Sequence, residues 1–236
     1  MKAVLDAHIH SIASVHAYST ITENTRAAAE RGLALIAITD HAPGVPDSAL
    51  MPHFANLHAL PKELFGVRLL RGVELNIMDY EGNVDMAVGQ YRGLDIRIAS
   101  LHTVCCKPGS VEQNTSALIG AMRNPLIQII GHPGDRQYPI DIERVLDAAA
   151  ETNTVPEINN PRLALPRYEC EASIREIAAG CLKRGLPVLM SSDAHFHTHV
   201  GVLDHAAAML AELGFPDALV LNNDVSLFLQ AMGLSE

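Results

Sequence analysis

Short apolar runs recur along this chain, and each stops at side chains that can bind a metal ion. Asp6-Ala7-His8-Ile9-His10 follows one such run and Thr39-Asp40-His41 another. Val73-Glu74-Leu75-Asn76, Leu101-His102-Thr103, Gly131-His132-Pro133 and Ser191-Ser192-Asp193-Ala194-His195 repeat the arrangement. Runs of this length, separated by helical patterns, are the signature of buried parallel strands. The metal-binding side chains therefore arrive at the carboxyl ends of several different strands. In barrels and open α/β sheets that edge carries the active site. One histidine so placed means little; a whole series at one rim predicts a polynuclear metal site.

The rhythm between these points is strand, loop, helix. Strands are expected at Ala3–His8, Leu35–Thr39, Arg68–Leu75, Ile96–Leu101, Leu126–Gly131, Val155–Ile158 and Pro187–Ser191, with a last strand-like piece at Ala218–Leu221. Thr22 is the expected N-cap of a helix running to Arg31, with Gly32 beyond its end. Further helices are expected over Val111–Arg123, from an Asp141 cap to about Glu151, over Cys170–Arg184 with Gly185 as a stop, and over His205–Leu213 and Asp224–Met232. Ala42–Pro61 is expected as a long loop, Asp79–Asp85 as a polar turn, and the sequence contains no internal repeat or flexible linker. Seven principal strands with crossover helices in one run predict a single (β/α)7 barrel domain over residues 1–236.

Length and charge narrow the function. A chain of 236 residues buries roughly 70–75% of its unfolded surface and needs no disulfide staple. Its cysteines, Cys105, Cys106, Cys170 and Cys181, form no C-x-x-C pair and are expected to be reduced thiols. A formal charge of −10 and the absence of Trp make a nucleic-acid partner an unfavourable reading. The sequence has no secretory leader pattern and no apolar stretch of about 18 residues, so a cytoplasmic protein without a membrane span is expected.

In a strand, residues two apart point to one side, so His8 and His10 can share a pocket, and Asp193-Ala194-His195 repeats that spacing. Glu74 lies among Leu69, Leu70 and Val73. A buried carboxylate without compensation costs several kcal/mol. Arg71 falls on the opposite face by alternation, which leaves bridging of two cations as the better account of Glu74. Asp6 and Asp40 neighbour ligands and are candidates to accept imidazole N–H groups. His53, His58, His197, His199 and His205 lie in loops or on a helix face and are expected to be solvated.

His8-x-His10, Thr39-Asp40-His41, Glu74, His102, Gly131-His132-Pro133 and Ser192-Asp193-x-His195 resemble, in order and over essentially the whole chain, the motif series of the PHP (polymerase and histidinol phosphatase) superfamily. Ala13-Ser14-Val15-His16-Ala17-Tyr18-Ser19 and Glu157-Ile158-Asn159-Asn160 resemble its YcdX-type phosphatases. The resemblance implies a distorted seven-stranded TIM-like barrel with three metals. Carried over by position, it puts His8, His10, Glu74 and Asp193 on the first ion and adds Glu74, His102 and His132 on the second. His16, His41 and His195 are then assigned to the third.

A set of histidines and carboxylates without thiolate suits Zn2+, Mn2+ or Fe2+ and disfavours calcium. The implied activity is hydrolysis of a small phosphate monoester by a metal-bound water, with Glu74 and Asp193 organising metals roughly 3.5–4 Å apart. Arg162 is the candidate substrate-binding residue, ahead of Arg136 and Arg167, and Cys105-Cys106 are candidates to line the pocket. Competing readings are a histidinol-phosphate phosphatase, a 3′–5′ exonuclease or phosphodiesterase, and a non-catalytic structural metal module. Structural zinc sites are usually closed and thiolate-rich, unlike this donor set.

Overall fold

Neighbouring strands pair in chain order, all parallel: β1 (Leu5–Ile9), β2 (Leu35–Ile38), β4 (Val67–Asn76), β5 (Ile96–Ser100), β6 (Ile129–Ile130), β7 (Val155–Asn159) and β8 (Leu189–Ser191). The short β3 (Glu63–Leu64) adds an antiparallel hairpin onto β4. A computed structural model describes residues 2–165 and 169–235. Helices α1 (Ile21–Glu30), α2 (Met51–Asn56), α3 (Val88–Tyr91), α4 (Val111–Met122), α5 (Ile142–Thr152), α6 (Asn160–Ala164), α7 (Glu171–Arg184) and α8 (Asp204–Glu212) fill the connections, and α9 (Val225–Ala231) ends the chain. The result is a nearly closed seven-stranded barrel.

Side chains from every barrel strand meet inside it, among them Leu5, Leu35, Leu70, Ile96, Ile129 and Leu189. Phe228 and Leu229 of α9 join this cluster and close the end opposite the carboxyl edge. Among the described residues, no helix is long and apolar enough to cross a membrane.

β1 and β8 form no ladder, and their seam is held by other means. Ile9 bridges Ala194, and the His10 N–H donates to Ala194 O at 2.9 Å. Ser192 donates both its backbone N–H and its hydroxyl to the Asp6 carboxylate. The Asn222 side chain takes the Met190 N–H and donates to the carbonyls of Leu5 and Met190.

Several boundaries differ from the sequence expectation. The first helix is capped by Thr20 rather than Thr22, in a capping box with Glu23, and ends before Gly32 at φ +75° as expected. The Ala42–Pro61 loop contains α2. β6 is shorter than Leu126–Gly131 because Asn124 folds Leu126 and Ile127 into a turn, its side chain and carbonyl taking their N–H groups. Ala218–Leu221 forms 3-10 turns with one bridge, Val188 to Val220, instead of a strand.

Candidate metal centre

The H-x-H strand does not alternate simply. β1 carries one extra residue against β2 between Asp6 and Ile9. A bulge of this kind re-aims side chains. Leu5 and Ala7 pack in the barrel core, Ile9 packs with the cluster that includes Ala27 and Ala28 of α1, and His8 and His10 both reach the site. At two other strand exits the backbone turns left-handed, at His132 (φ 32°) and Asp193 (φ 46°). Such conformations are uncommon outside glycine and cluster at functional sites.

Glu74 is the centre of the arrangement. Its Oε1 lies 3.4 Å from His8 Nε2, 3.4 Å from His102 Nε2 and 3.3 Å from His132 Nε2. Its Oε2 lies 2.6 Å from His41 Nδ1 and 3.6 Å from His10 Nε2. Asp193 Oδ1 stands 3.1 Å from His10 Nε2. The rings of His41 and His195 stand 5.0 and 4.6 Å from the more exposed His16. Arg71, as alternation predicted, turns away and pairs with Asp95 at 3.0 Å. All the candidate ligands thus meet at one edge of the barrel.

The tautomers follow from the outer partners. His8 Nδ1 faces Glu157 Oε1 at 2.6 Å, a group that only accepts. His102 Nδ1 faces Asn76 Oδ1 at 2.7 Å, and the Asn76 amide is fixed in that sense because its Nδ2 donates to Ala42 O and Asp85. His10 Nδ1 meets Ser14 Oγ at 3.2 Å, whose own proton goes to Asp40. His195 Nδ1 donates to the Asp193 carbonyl. In each of these rings Nδ1 is thus held from outside and Nε2 is turned to the interior, where it can serve as a ligand once it carries no proton.

Burial would raise the Glu74 carboxyl, but His41, His102 and His8 hold it well below the usual range. Burial likewise disfavours a charge on His8, yet Glu157, Glu74 and Asp193 raise it well above its ordinary value. His16 is lowered to about 4 by burial and by His195 and His41.

The donor set fits divalent cations. One ligand atom from each of His8, His10 and Asp193 lies within 4.8 Å of the others, and the same holds for His10, His41 and His195 and for His41, Glu74 and His102. His8 Nε2, both ring nitrogens of His41, Glu74 Oε2 and His195 Nε2 are buried and make no hydrogen bond. Buried polar atoms left so are costly and rare. His41 Nδ1 and Glu74 Oε2 are close without the alignment a hydrogen bond needs, as befits two donors sharing an ion.

Asp6 and Asp40 do not orient the candidate ligand imidazoles directly. Asp6 is spent on Ser192 and Gly201, and Asp40 on Ser11, Ser14 and His53, reaching His10 only through Ser14. The direct acceptors are Glu157, Asn76, Ser14 and the Asp193 carbonyl. Glu157 had the same sequence signal as Glu74, an acid inside an apolar strand. Of the histidines expected to be solvated, His53 pairs with Asp40 at 3.1 Å and His199 lines the pocket.

A cavity of about 670 Å³ opens over the cluster. Arg162 lies on its wall, paired with Asp135 at 2.9 Å. Arg136 instead pairs with Glu169 in an exposed contact, and Arg167 lies outside the described residues. Thr103 and Val104 line the cavity in place of Cys105 and Cys106. Burial pushes the Cys105 thiol up to about 12, which leaves it protonated and a poor nucleophile.

The family model described as PHP domain matches residues 6–159. A protein of Thermoanaerobacter sp. (strain X514) named a probable phosphatase is 48% identical over 226 residues, 95% of this chain and 92% of that protein. A probable phosphatase of Acetivibrio thermocellus is 41% identical over 97% of this chain and 94% of its own length. Among solved structures, histidinol phosphate phosphatase from Lactococcus lactis, complexed with zinc, L-histidinol and phosphate, aligns with a TM-score of 0.67 at 19% identity. That alignment covers 91% of this chain and 95% of the other, and at such identity the likeness is one of fold.

Proposed function

The chain belongs to the PHP-domain family, and from that premise we propose that it is a metal-dependent phosphatase acting on small phosphate monoesters at a three-cation centre. The observation that carries the reading is the set of buried, unpaired nitrogen and oxygen atoms around Glu74 at the floor of an open cavity. Relatives named probable phosphatases, matched over nearly their whole length, support it.

In this reading His8, His10, Glu74 and Asp193 hold one cation, and Glu74 with His102 and His132 holds a second. His16, His41 and His195 hold the third. The donor chemistry admits Zn2+, Mn2+ or Fe2+, and the zinc of the Lactococcus structure is in keeping with it. Bound there, the cations supply Lewis acidity toward water and the phosphoryl oxygens.

The chain's own residues do the rest. Glu157, Asn76 and Ser14 fix which nitrogen each ring offers. Arg162, held by Asp135, presents a guanidinium to a phosphoryl oxygen. Cys105, Cys106, Cys170 and Cys181 are free thiols and all are shifted upward by burial, so no thiolate is poised to attack. In this reading water is the attacking group. Free thiols also suit a reducing, cytoplasmic setting.

The test is hydrolysis of p-nitrophenyl phosphate by metal-loaded protein, with elemental analysis of the same sample. We expect activity that chelation abolishes and Mn2+, Zn2+ or Fe2+ restores, with about three ions per chain. One ion or none would refute the three-cation centre. Cleavage of amides or lactones without monoesters would refute the phosphatase. Better cleavage of diesters would favour a phosphodiesterase or exonuclease. L-histidinol phosphate belongs in the substrate panel, because the Lactococcus enzyme was solved with its alcohol and phosphate.

A further inference from the structure

We propose that the mouth of the cavity selects the alcohol half of the substrate, and that Val15, Val104 and Leu165 form an apolar clamp for an aromatic or branched apolar alcohol. The inference rests on the phosphatase reading and goes beyond it by naming a substrate class.

Isolated exposed hydrophobic residues are ordinary on protein surfaces. These are not isolated. Val15, Val104 and Leu165 are 49%, 62% and 40% exposed, and all line the cavity whose floor holds Glu74, His41 and Asp193. They arrive from the connections that follow β1, β5 and β7. In the strand order β1-β2-β4-β5-β6-β7-β8 those positions are spread around the barrel, so the three side chains surround the opening instead of lying along one wall. Leu101 and Tyr138, both buried, extend apolar surface below them toward the site.

Charge points the same way. Arg162 on the wall is already engaged by Asp135, and the chain as a whole carries −10. Away from the cation sites at the floor, a leaving group bearing further anions meets a wall on which Arg162 is already paired with Asp135. A leaving group with an apolar body gains by removing surface from water on both sides. In the reaction, an oxygen of water bonds to phosphorus as the ester P–O bond breaks. The alcohol departs with a proton, and inorganic phosphate remains. The clamp therefore acts on the group that leaves, and it holds the ester in register over the floor before the bond breaks.

The clamp is tested by binding as well as turnover, with the full metal-loaded chain and its Val104→Ser and Leu165→Ser variants. Both positions are exposed, so folding is not at stake, and melting curves check this. Calorimetric titration compares benzylphosphonate with methylphosphonate, two non-hydrolysable probes that differ in the apolar body. We expect benzylphosphonate to bind about tenfold more tightly, with that ratio falling about threefold or more in each variant. Turnover compares benzyl phosphate with glycerol 3-phosphate, both esters of primary alcohols, so leaving-group acidity does not decide the result. The expected kcat/KM ratio again favours the benzyl ester by about tenfold.

Equal binding of the two phosphonates, or a ratio unaltered in both variants, overturns the clamp even if monoesters are hydrolysed. A benzyl preference that the variants lose, in a protein that hydrolyses no monoester, upholds the clamp and overturns the phosphatase.

Discussion

Glu74 faces more imidazoles than any other carboxylate of the site, with His8, His41, His102 and His132 all within 3.4 Å. If it serves two cations, Glu74→Gln removes charge from both, whereas His16→Ala removes one ligand at the exposed margin. We expect the Gln variant to lose about 100-fold or more in activity together with bound metal, and His16→Ala to lose clearly less. Equal residual activity and metal content would argue against the bridge. Glu157 offers a finer test. Its two oxygens take His8 Nδ1–H and the His132 N–H, each at 2.6 Å. Glutamine keeps one acceptor and turns an amide N–H against the other donor, so Glu157→Gln should weaken metal affinity by about 10–100-fold in a competition titration. Unchanged affinity would remove Glu157 from the site's support. The candidate ligands other than His16 were legible because each stands at the end of an apolar run, whereas His16 lies in a loop and came only from the family resemblance. Their orienting partners were not, since acceptors were sought beside the ligands at Asp6 and Asp40. The residue that holds His8 stands 149 positions away.

At the scale of elements, the seam between β1 and β8 is the weak line of the barrel. Elsewhere neighbouring strands share ladders, but here the contact is one backbone bridge with the side chains of Asp6, Ser192 and Asn222. The candidate ligands flank that line, with His8 and His10 on one side and Asp193 and His195 on the other. Cations bound there add a cross-tie that binds only the closed form. Chelation should therefore lower the melting temperature and speed hydrogen exchange first in β1 and in the segment after β8. Exchange that quickens uniformly, or first at α4 and α5, would show that the metals do not tie the seam. The strands themselves were readable from their apolar runs. Their ends were not wherever a hydrogen bond overrides periodicity, as Asn124 does before β6 and the turns at Asp217–Leu219 do near the carboxyl terminus. The bulge in β1 was equally hidden, because the two-residue alternation that paired His8 with His10 would also have brought in Asp6.

For the molecule as a whole, net charge sets the company it keeps. At −10 it lacks the surplus of Lys and Arg that neutralises a phosphate backbone. Duplex DNA should bind only weakly at physiological salt; tight binding with a steep salt slope would reverse the ranking of substrates and promote the exonuclease reading. The wide separation of the candidate ligands along the chain, from His8 to His195, bears on how the protein is made. A chain emerging from the ribosome presents His8 and His10 long before Asp193 and His195, so the full candidate set cannot assemble until the segment after β8 has cleared the exit. On the proposed assignment the first and third cation sites are completed only by Asp193 and His195, so a polypeptide cut short before Asp193 lacks a ligand at both, however well its earlier strands have paired.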